Sequence, residues 1–321
     1  MKEIIISKYD ENQRVDKFVR KYLNDAPLSF IYKLFRKKDV KIDGHWVKQE
    51  YIIHEGEILR IYVTDDQLKE FVSTKEAKKK DFPHQIVFED ENILIVNKPR
   101  SLLVHGDESE KKNTLANDVL NYLYLKGEYD PNNKGGFAPA PAHRLDRNTS
   151  GIVVFAKKLK ILQELELLFK EKDNIEKHYY ALLVGSLKKD EVVTAPLKKD
   201  SNSGMVKVTS LKDGGQDAKT IVKPVKNYKD FTLCDITLVT GRTHQIRVHT
   251  SYINHPVIGD AKYGNFIINK AFKEQYKFEN QFLHAYELIF KHLDGELNYL
   301  SNKKFVAEMP RIEQEILDKL S

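Results

Sequence analysis

The sequence contains a single cysteine, Cys234, among its 321 residues. One cysteine can form neither an internal disulfide nor a thiolate-rich zinc site, so both kinds of structural cross-link are excluded. Redox chemistry through a pair of thiols is excluded for the same reason. This cysteine content is typical of a protein that works in a reducing compartment.

Long hydrophobic runs are also missing. No stretch approaches the roughly 18 consecutive apolar residues that a membrane-spanning helix requires, so we expect no association with a membrane. The first residues, MKEIIISKYDENQRVDKF, carry acidic side chains where a secretory signal needs an apolar core. We therefore expect the protein to be cytoplasmic.

Several familiar catalytic motifs are absent. The sequence has no phosphate-binding loop, no G-x-G-x-x-G and no G-x-S-x-G, which argues against nucleotide hydrolysis, dinucleotide redox chemistry and esterase activity. His244 and His249 lie five residues apart, but Arg242 and Arg247 beside them would repel a metal ion. We expect neither a metal nor a cofactor.

The composition is that of a folded, moderately basic protein. Hydrophobic residues make up 41% and aromatic residues 10% of the chain, which is sufficient for a globular core. The 53 basic and 47 acidic residues give a formal net charge of +6, which permits a polyanionic partner without requiring one. The length predicts two domains.

Residues 1–63 are predicted to form a small helix–helix–hairpin module. Apolar residues recur at helical spacing over 14–23, and Ser29 is placed to cap a second helix. Asp43-Gly44 then predicts a tight turn between two short strands. The run TKEAKKKD follows within residues 64–82, which we interpret as a charged linker.

Residues 83–321 are predicted to form a second domain of the α+β class. Strand patterns recur with few helices between them, which favours a largely antiparallel mixed sheet over repeated βαβ units. The predicted strands are residues 85–89, 93–96, 151–156, 179–184, 221–225 and 233–238, and the strongest helix pattern covers 159–172.

Three polar segments in this domain could carry chemistry: HRLDRNTSG at 143–151, KHYYALLVG at 177–185 and TGRTHQIRVH at 240–249. An aspartate flanked by arginines suits an aimed, ionised carboxylate, but a surface salt bridge fits equally well. The tyrosine in the second segment could belong to a functional site or could simply pack in the core. In the third segment, polar residues alternate with apolar ones, as in a strand that lines a cleft or in a solvated basic edge strand.

Together, these segments resemble the RluA family of pseudouridine synthases. The family signature is an H-R-L-D-x-x-T-S-G loop, a K-x-Y-x-A strand and a T-G-R-T-H-Q-I-R-x-H strand, and all three are present in the family's order. The resemblance spans roughly residues 85–300. It also includes ED at 89–90, VNKP at 96–99, VHG at 104–106, GD at 259–260, YG at 263–264 and LHA at 283–285.

The N-terminal module resembles the alpha-L RNA-binding domain that a small-subunit ribosomal protein shares with many RNA enzymes. The likeness rests on Ser29, Lys33, Leu34, Arg36, Val40, Asp43 and Gly44. SFIYK at 29–33, followed by Arg36-Lys37, is closest to the RluC branch of the family, which modifies large-subunit ribosomal RNA. The sequence departs from the family pattern at three places. Pro27-Leu28 replaces the usual Ser-Arg pair ahead of Ser29, and Lys38 and Arg100-Ser101 stand where glycine is common.

The resemblance implies that Asp146 is the catalytic carboxylate of an RNA pseudouridine synthase, an isomerase. Uracil is detached from C1′ of the ribose, turned, and rejoined through C5; attack on C1′ and removal of a sugar proton are both compatible with the aspartate. Arg247, or in second place Arg242, would pair with Asp146. Tyr179 would pack on the uracil and accept the C5 proton.

The resemblance also implies RNA-binding residues. Arg144 would occupy the space that the flipped uridine vacates. The other candidate RNA contacts are His143, Arg242, His244, Gln245, Lys33, Arg36, Lys37 and Lys41. The expected substrate is large-subunit (23S) ribosomal RNA. The alternatives are the same reaction on transfer RNA and a noncatalytic RNA-binding or ribosome-assembly protein, and no obligate protein partner is implied.

Overall fold

The computed structural model describes residues 1–8, 10–72, 81–132, 137–171, 173–201 and 203–321. The chain divides into two compact units. The first unit comprises Met1–Phe82, Asn117–Ala140 and Ala156–Gln163, and the second comprises Pro83–Ala116, Pro141–Phe155 and Glu164–Ser321. Across the described ranges, no helix has the length and apolar character needed to cross a membrane.

The N-terminal part of the first unit packs helices on one face of a small antiparallel sheet. Its elements are β1 (Lys2–Ile5), α1 (Val15–Tyr22), α2 (Leu28–Arg36), β2 (Val40–Ile42), β3 (His45–Trp46), β4 (Ile58–Ile61) and α3 (Asp65–Phe71). The strand order is β1-β4-β2-β3. Phe18 and Val19 of α1 and Ile31 of α2 are buried with Val40 and Leu59 of the sheet.

The predicted helix–helix–hairpin order is confirmed, with two differences. Helix α2 begins at Leu28 after Pro27, so Ser29 lies inside its first turn and does not cap it. The predicted linker begins with the helix α3, which Thr64 caps. Leu68 of α3 packs against the same core. Residues 73–80 of the predicted linker lie outside the described residues, and the domain limits stay a prediction.

The rest of the chain is built on a large mixed sheet. The strands of this part are β5 (Gln85–Glu89), β6 (Ile93–Lys98), β7 (Ala140–Pro141), β8 (Ser150–Ala156), β9 (Ile175–Val184), β10 (Glu191–Thr194), β11 (Leu197–Lys199), β12 (Val206–Val208), β13 (Lys219–Asn227), β14 (Phe231–Leu238), β15 (Leu283–Phe290) and β16 (Lys304–Val306). β11 and β12 pair with each other in a separate two-stranded sheet. The helices of this part are α4 (Leu115–Leu125), α5 (Leu159–Lys170), α6 (Gln245–Tyr252), α7 (Phe266–Tyr276) and α8 (Arg311–Leu320), with a 3₁₀ helix at Gly295–Leu300.

The strand order of the large sheet is β10-β13-β14-β9-β15-β8-β6-β5, and β16 lies beside β15. β13–β14, β14–β9 and β9–β15 are antiparallel pairs, whereas β15 and β8 run parallel. The predicted α+β class is therefore confirmed, and all six predicted strands are present. β9 lies near the centre, and its alternating Tyr179, Ala181 and Leu183 enter one apolar cluster.

Residues 240–249 are not the predicted strand. They form a turn followed by the helix α6, with His244 in the left-handed conformation at φ 53° immediately before the helix. The side chain of Gln245 closes this turn, since its Oε1 accepts hydrogen bonds from the Thr240 hydroxyl and the Arg242 backbone N–H. The polar alternation that suggested a strand instead satisfies the backbone of a tight turn.

Candidate active site

The three polar segments meet around one cavity of about 1090 Å³ in the second unit. The loop of residues 142–148, the β9 residues Lys177 and Tyr179, the turn of residues 241–244 and Arg247 all line it. Its ionisable lining is mainly basic. The cations are Arg144, Arg147, Lys170, Lys177, Lys199, Arg242, Arg247 and Lys262, and the acids are Asp107, Asp146 and Glu166. This excess of positive charge suits an anionic ligand.

The loop that carries Asp146 is fixed where it enters β8. Gly151 has φ +114°, and a Cβ atom there would lie only 2.1 Å from the backbone oxygen of Ala285. Glycine therefore permits the close parallel approach of β8 to β15. Next to it, the Ser150 hydroxyl lies 2.9 Å from Nδ1 of the buried His284, which ties the same two strands together.

Lys98 fixes the other side of this loop. Its fully buried Nζ donates to the backbone oxygens of Pro99 at 2.9 Å, Leu102 at 2.8 Å and Arg147 at 3.0 Å. Burial lowers the pKa of Lys98 to about 7, although the charge of Asp146 favours the ammonium form. The three carbonyl groups match the three N–H donors of an ammonium group. Lys98 thereby anchors the residue that follows Asp146.

Arg247 is the ion-pair partner of Asp146. Its Nη1 donates to Oδ2 of Asp146 at 2.8 Å, so of the two candidates it is Arg247 and not Arg242 that makes this contact. The arginines that flank Asp146 in sequence do not form its charge pair. Arg147 instead contacts Asp107 and Ser109.

Asp260 holds Arg247 from the opposite side. Nε and Nη2 of Arg247 donate to its two carboxylate oxygens at 2.6 and 2.9 Å. Burial opposes ionisation of Asp260, but the bonds and charge of Arg247 and the backbone N–H groups of Lys262 and Tyr263 keep its pKa below the usual value. Gly259 makes this position possible, since a Cβ there would lie 2.0 Å from the Asn280 oxygen.

No role was predicted for Asp260 from the sequence. Its only signal there is the GD pair at 259–260, which belongs to the family resemblance. For Arg247, burial lowers the pKa, but Asp260 and Asp146 together raise it above the ordinary value. Arg247 is therefore a permanent cation whose orientation is set before any substrate binds.

Tyr179 forms an apolar wall of the cavity. It is only 7% exposed and belongs to the same cluster as Ile246 and Leu283, on which Leu145 also packs. Burial, and then the negative charge of Asp146, raise the pKa of Tyr179 above the usual value for a phenol. Its hydroxyl is therefore protonated at neutral pH.

His244 and Arg242 lie at the cavity through the turn before α6. Nδ1 of His244 is 2.8 Å from the hydroxyl oxygen of Tyr263, and its Nε2 is 3.9 Å from Oδ2 of Asp146. Burial lowers the pKa of His244 by more than Asp146 raises it, so the imidazole is neutral at pH 7. The exposed Arg242 donates through Nε to the Asp217 backbone oxygen at 3.0 Å.

Two predicted RNA contacts are engaged within the protein. Gln245 is 2% exposed, and its amide nitrogen donates to the Lys219 backbone oxygen and the Thr220 hydroxyl. The structure thus gives Gln245 a structural role in place of direct RNA contact. His143 lines the cavity, but its Nε2 accepts the Val154 N–H and burial lowers the pKa of His143 to about 3.

The remaining predicted contacts are accessible. Arg144 is exposed and lines the cavity. In the first unit, Lys33 and Arg36 are exposed on α2 and Lys37 is exposed at its C-terminal cap, at i, i+3 and i+4, and Lys41 is half-buried on β2. Residues with this spacing share one side of a helix. The first unit therefore presents a basic surface of its own.

Comparison with known proteins gives a consistent picture. The profile of the RNA pseudouridylate synthase family matches residues 92–252. The ribosomal large subunit pseudouridine synthase C of Vibrio parahaemolyticus is 36% identical over 284 residues, covering 87% of this chain and 85% of that protein. The protein of the same name from Escherichia coli K12 is 33% identical over 296 residues, covering 91% of this chain and 89% of its own.

Two solved human structures share the fold. RNA Pseudouridylate Synthase Domain Containing 4 aligns with a TM-score of 0.57 at 24% identity and covers 73% of this chain and 92% of its own. RNA Pseudouridylate Synthase Domain Containing 1 aligns with a TM-score of 0.53 at 20% identity, covering 76% and 97%. At these identities the likeness concerns the fold alone.

Proposed function

The chain belongs to the RNA pseudouridylate synthase family, and from this premise we propose that it isomerises uridines of large-subunit ribosomal RNA with Asp146 as the catalytic carboxylate. It is an RNA-modifying enzyme of the class that the sequence resemblance indicated. The observation that carries the assignment of Asp146 is its hydrogen bond to Arg247 on the wall of the basic cavity. The similarity to ribosomal large subunit pseudouridine synthases supports the ribosomal substrate, which would place the reaction in the cytoplasm.

One fixed carboxylate is sufficient for this reaction. The uracil leaves C1′, turns, and forms its new bond through C5 without leaving the site, so no second carboxylate is needed to activate water, in contrast to glycoside hydrolysis. Attack on C1′ and removal of a sugar proton both require an ionised, oriented oxygen. Arg247 provides that orientation, because Asp260 holds its other two donors.

Tyr179 would contact the uracil through its ring. The side chain is on the cavity wall, and an aromatic face suits packing on a flat base. Its raised pKa limits its part in proton transfer, because a protonated phenol must lose its own proton as it accepts one from C5. We assign the ring to base packing and the hydroxyl to a relay, in which the Tyr179 oxygen takes the C5 proton while its own proton passes to water.

The cavity can accept a uridine only after the base leaves its stack. Arg144 is exposed on the cavity lining, where it can fill the space that the base vacates in the RNA. The other lining cations would bind backbone phosphates, an interaction that weakens with salt and carries no sequence information.

Release of tritium from ribosomal RNA labelled at uridine C5 tests the proposal. The wild type should release tritium, Asp146→Asn should not, and Asp107→Asn should serve as the control, since Asp107 is an exposed carboxylate of the same cavity. Release from transfer RNA alone would overturn the ribosomal substrate. Absence of release from both RNAs, although the protein binds them, would favour the noncatalytic alternative. Release by Asp146→Asn would overturn the catalytic assignment.

A further inference from the structure

The outer face of the small sheet in the first unit carries aromatic side chains beside cations. Val40 and Ile42 point from β2 into the core, so Lys41 between them lies on the opposite face. The Asp43-Gly44 turn pairs β2 with β3 and places Trp46 directly opposite Lys41.

Four residues define what we call the aromatic face: Lys38, Lys41, Trp46 and Tyr62. Trp46 is 49% exposed and Tyr62 is 41% exposed. Nζ of Lys38 lies 4.9 Å from the centre of the Trp46 ring, and Nζ of Lys41 lies 5.1 Å from the centre of the Tyr62 ring. Each aromatic ring therefore has a cation over it and retains a large exposed area.

The backbone of Lys38 is held in an unfavourable conformation. Its φ is +61°, in the left-handed region that glycine adopts without strain. Its N–H donates to the Phe35 oxygen as the chain leaves α2. A lysine at this strained position supplies the cation over Trp46, which glycine could not do. Strain that persists in a well-packed turn points to a use for the side chain.

The charges of this face suit a nucleic acid. Arg60 lies across from Lys41 in the sheet, but it is already paired with Glu3 at 2.7 Å. Lys38 and Lys41 are the cations beside the rings. Lys38 also follows the basic residues of α2 in sequence, so the aromatic face continues the basic surface that ends at Lys37.

We propose that the aromatic face binds unpaired nucleotides of the RNA substrate, with Trp46 and Tyr62 stacking on bases and Lys38 and Lys41 contacting the flanking phosphates. The proposal rests on the proposed function for the identity of the ligand as RNA. Proteins that bind single-stranded nucleic acids combine exposed aromatic rings with cations, because every base offers a flat face for stacking.

The chain itself provides the probe, because Trp46 is its only tryptophan. The full-length protein is titrated with a single-stranded oligoadenylate of about 12 nucleotides, a length within the range of single-strand site sizes. Base stacking on the indole should quench the emission in a saturable way, and a duplex of equal length should quench it far less. An emission that does not change on binding, or that changes equally with the duplex, would overturn the proposal.

Two variants separate stacking from folding. Trp46→Leu should weaken binding of the oligoadenylate about 5-fold to 150-fold, measured by anisotropy of a labelled strand. Phe266→Leu is the matched control, because Phe266 is 67% exposed in the second unit, and its affinity should be that of the wild type. Equal affinities for Trp46→Leu and the wild type would overturn the proposal.

Lys38→Gly provides a second test that does not depend on loss of stability. Glycine relieves the positive φ, so the melting temperature should be unchanged or higher. The slope of log affinity against log salt should nevertheless fall by about one, the value for one phosphate contact. An unchanged slope would remove Lys38 from the interface.

Tritium release keeps this inference distinct from the proposed function. Trp46→Leu should retain the wild-type kcat on saturating ribosomal RNA and show a raised KM. Quenching by the oligoadenylate without tritium release by the wild type would support the aromatic face while overturning the proposed reaction. Tritium release by the wild type together with an unchanged KM for Trp46→Leu would support the proposed reaction and overturn the role of the aromatic face.

Discussion

Arg247 contacts Asp146 through one donor only, Nη1 at 2.8 Å from Oδ2, because Asp260 holds its Nε and Nη2. The two carboxylates therefore have unequal parts. Asp260 is fully buried and positions the guanidinium group, whereas Asp146 faces the cavity with 29% of its side chain exposed. Loss of Asp146 would leave Arg247 in place, but loss of Asp260 would disturb both partners.

Asp260→Asn tests this inequality. The substitution breaks a buried, bidentate ion pair, so the free energy of unfolding should fall by about 3 kcal/mol, measured by urea denaturation. The rate of tritium release should fall as well, because Arg247 loses the group that orients it. Asp107→Asn removes an exposed partner of Arg147 and should leave the unfolding midpoint unchanged. Equal midpoints for the Asp260→Asn variant and the wild type would contradict the positioning role.

Tyr179→Phe separates the ring from the hydroxyl. The phenylalanine ring can still pack on uracil, so KM should change little, while kcat should fall about 100-fold if the hydroxyl relays the C5 proton. Tyr179→Leu removes the aromatic face and should also raise KM. Steady-state tritium release measures both parameters. A wild-type kcat for Tyr179→Phe would exclude the hydroxyl from proton removal.

Local patterns were sufficient to predict most of the fold. The helical spacing over residues 14–23 corresponds to α1, and the Asp43-Gly44 pair corresponds to the turn between β2 and β3. The alternation of polar and apolar residues over 240–249 led to the wrong prediction of a strand, because the polar side chains there close a turn. The bonds of Gln245 to Lys219 and Thr220 join positions more than 20 residues apart, and no local pattern contains them.

The candidate site, like the fold, could be predicted from the sequence only in part. Asp146, Tyr179 and Arg247 came from motifs that resemble a family, and the structure places all three on one cavity. The choice between Arg242 and Arg247 as the partner of Asp146 required three-dimensional distances. The role of Asp260 could not be predicted from the sequence, because it depends on burial and on a contact with the separate helix α6.

The basic surface of the first unit should determine the salt dependence of RNA binding. Neutralising Lys33, Arg36 and Lys37 together by glutamine should lower the slope of log affinity against log salt by up to about three. The value of kcat should be unchanged, because these residues belong to the first unit and the catalytic cavity to the second. Neutralising the exposed Lys188, Lys189 and Lys223 is the charge-matched control and should not change the slope. Equal slopes in both triple variants would contradict an RNA-binding role for α2.

The buried pair of Glu313 and Arg100 should make stability depend on pH. Glu313 lies in the first turn of α8 with no exposed surface, and its Oε1 is 3.2 Å from Nε of Arg100. Arg100 is one of the residues that depart from the family pattern, and its guanidinium group lies 4.3 Å from the centre of the Phe278 ring. Burial raises the pKa of Glu313 from 4.5 to about 7, by more than the charge of Arg100 lowers it.

The sign of the effect follows from proton binding. Between pH 4.5 and 7 the folded state holds the Glu313 proton and the unfolded state does not, so the stability contributed by this group is complete below pH 4.5 and is lost as the pH rises through 7. The loss amounts to about 3 kcal/mol. Glu313→Gln cannot titrate, so the unfolding free energy of the wild type relative to this variant should fall by about that amount from pH 4.5 to pH 8. Urea denaturation at several pH values measures it, and a constant difference would show that Glu313 is ionised throughout this range.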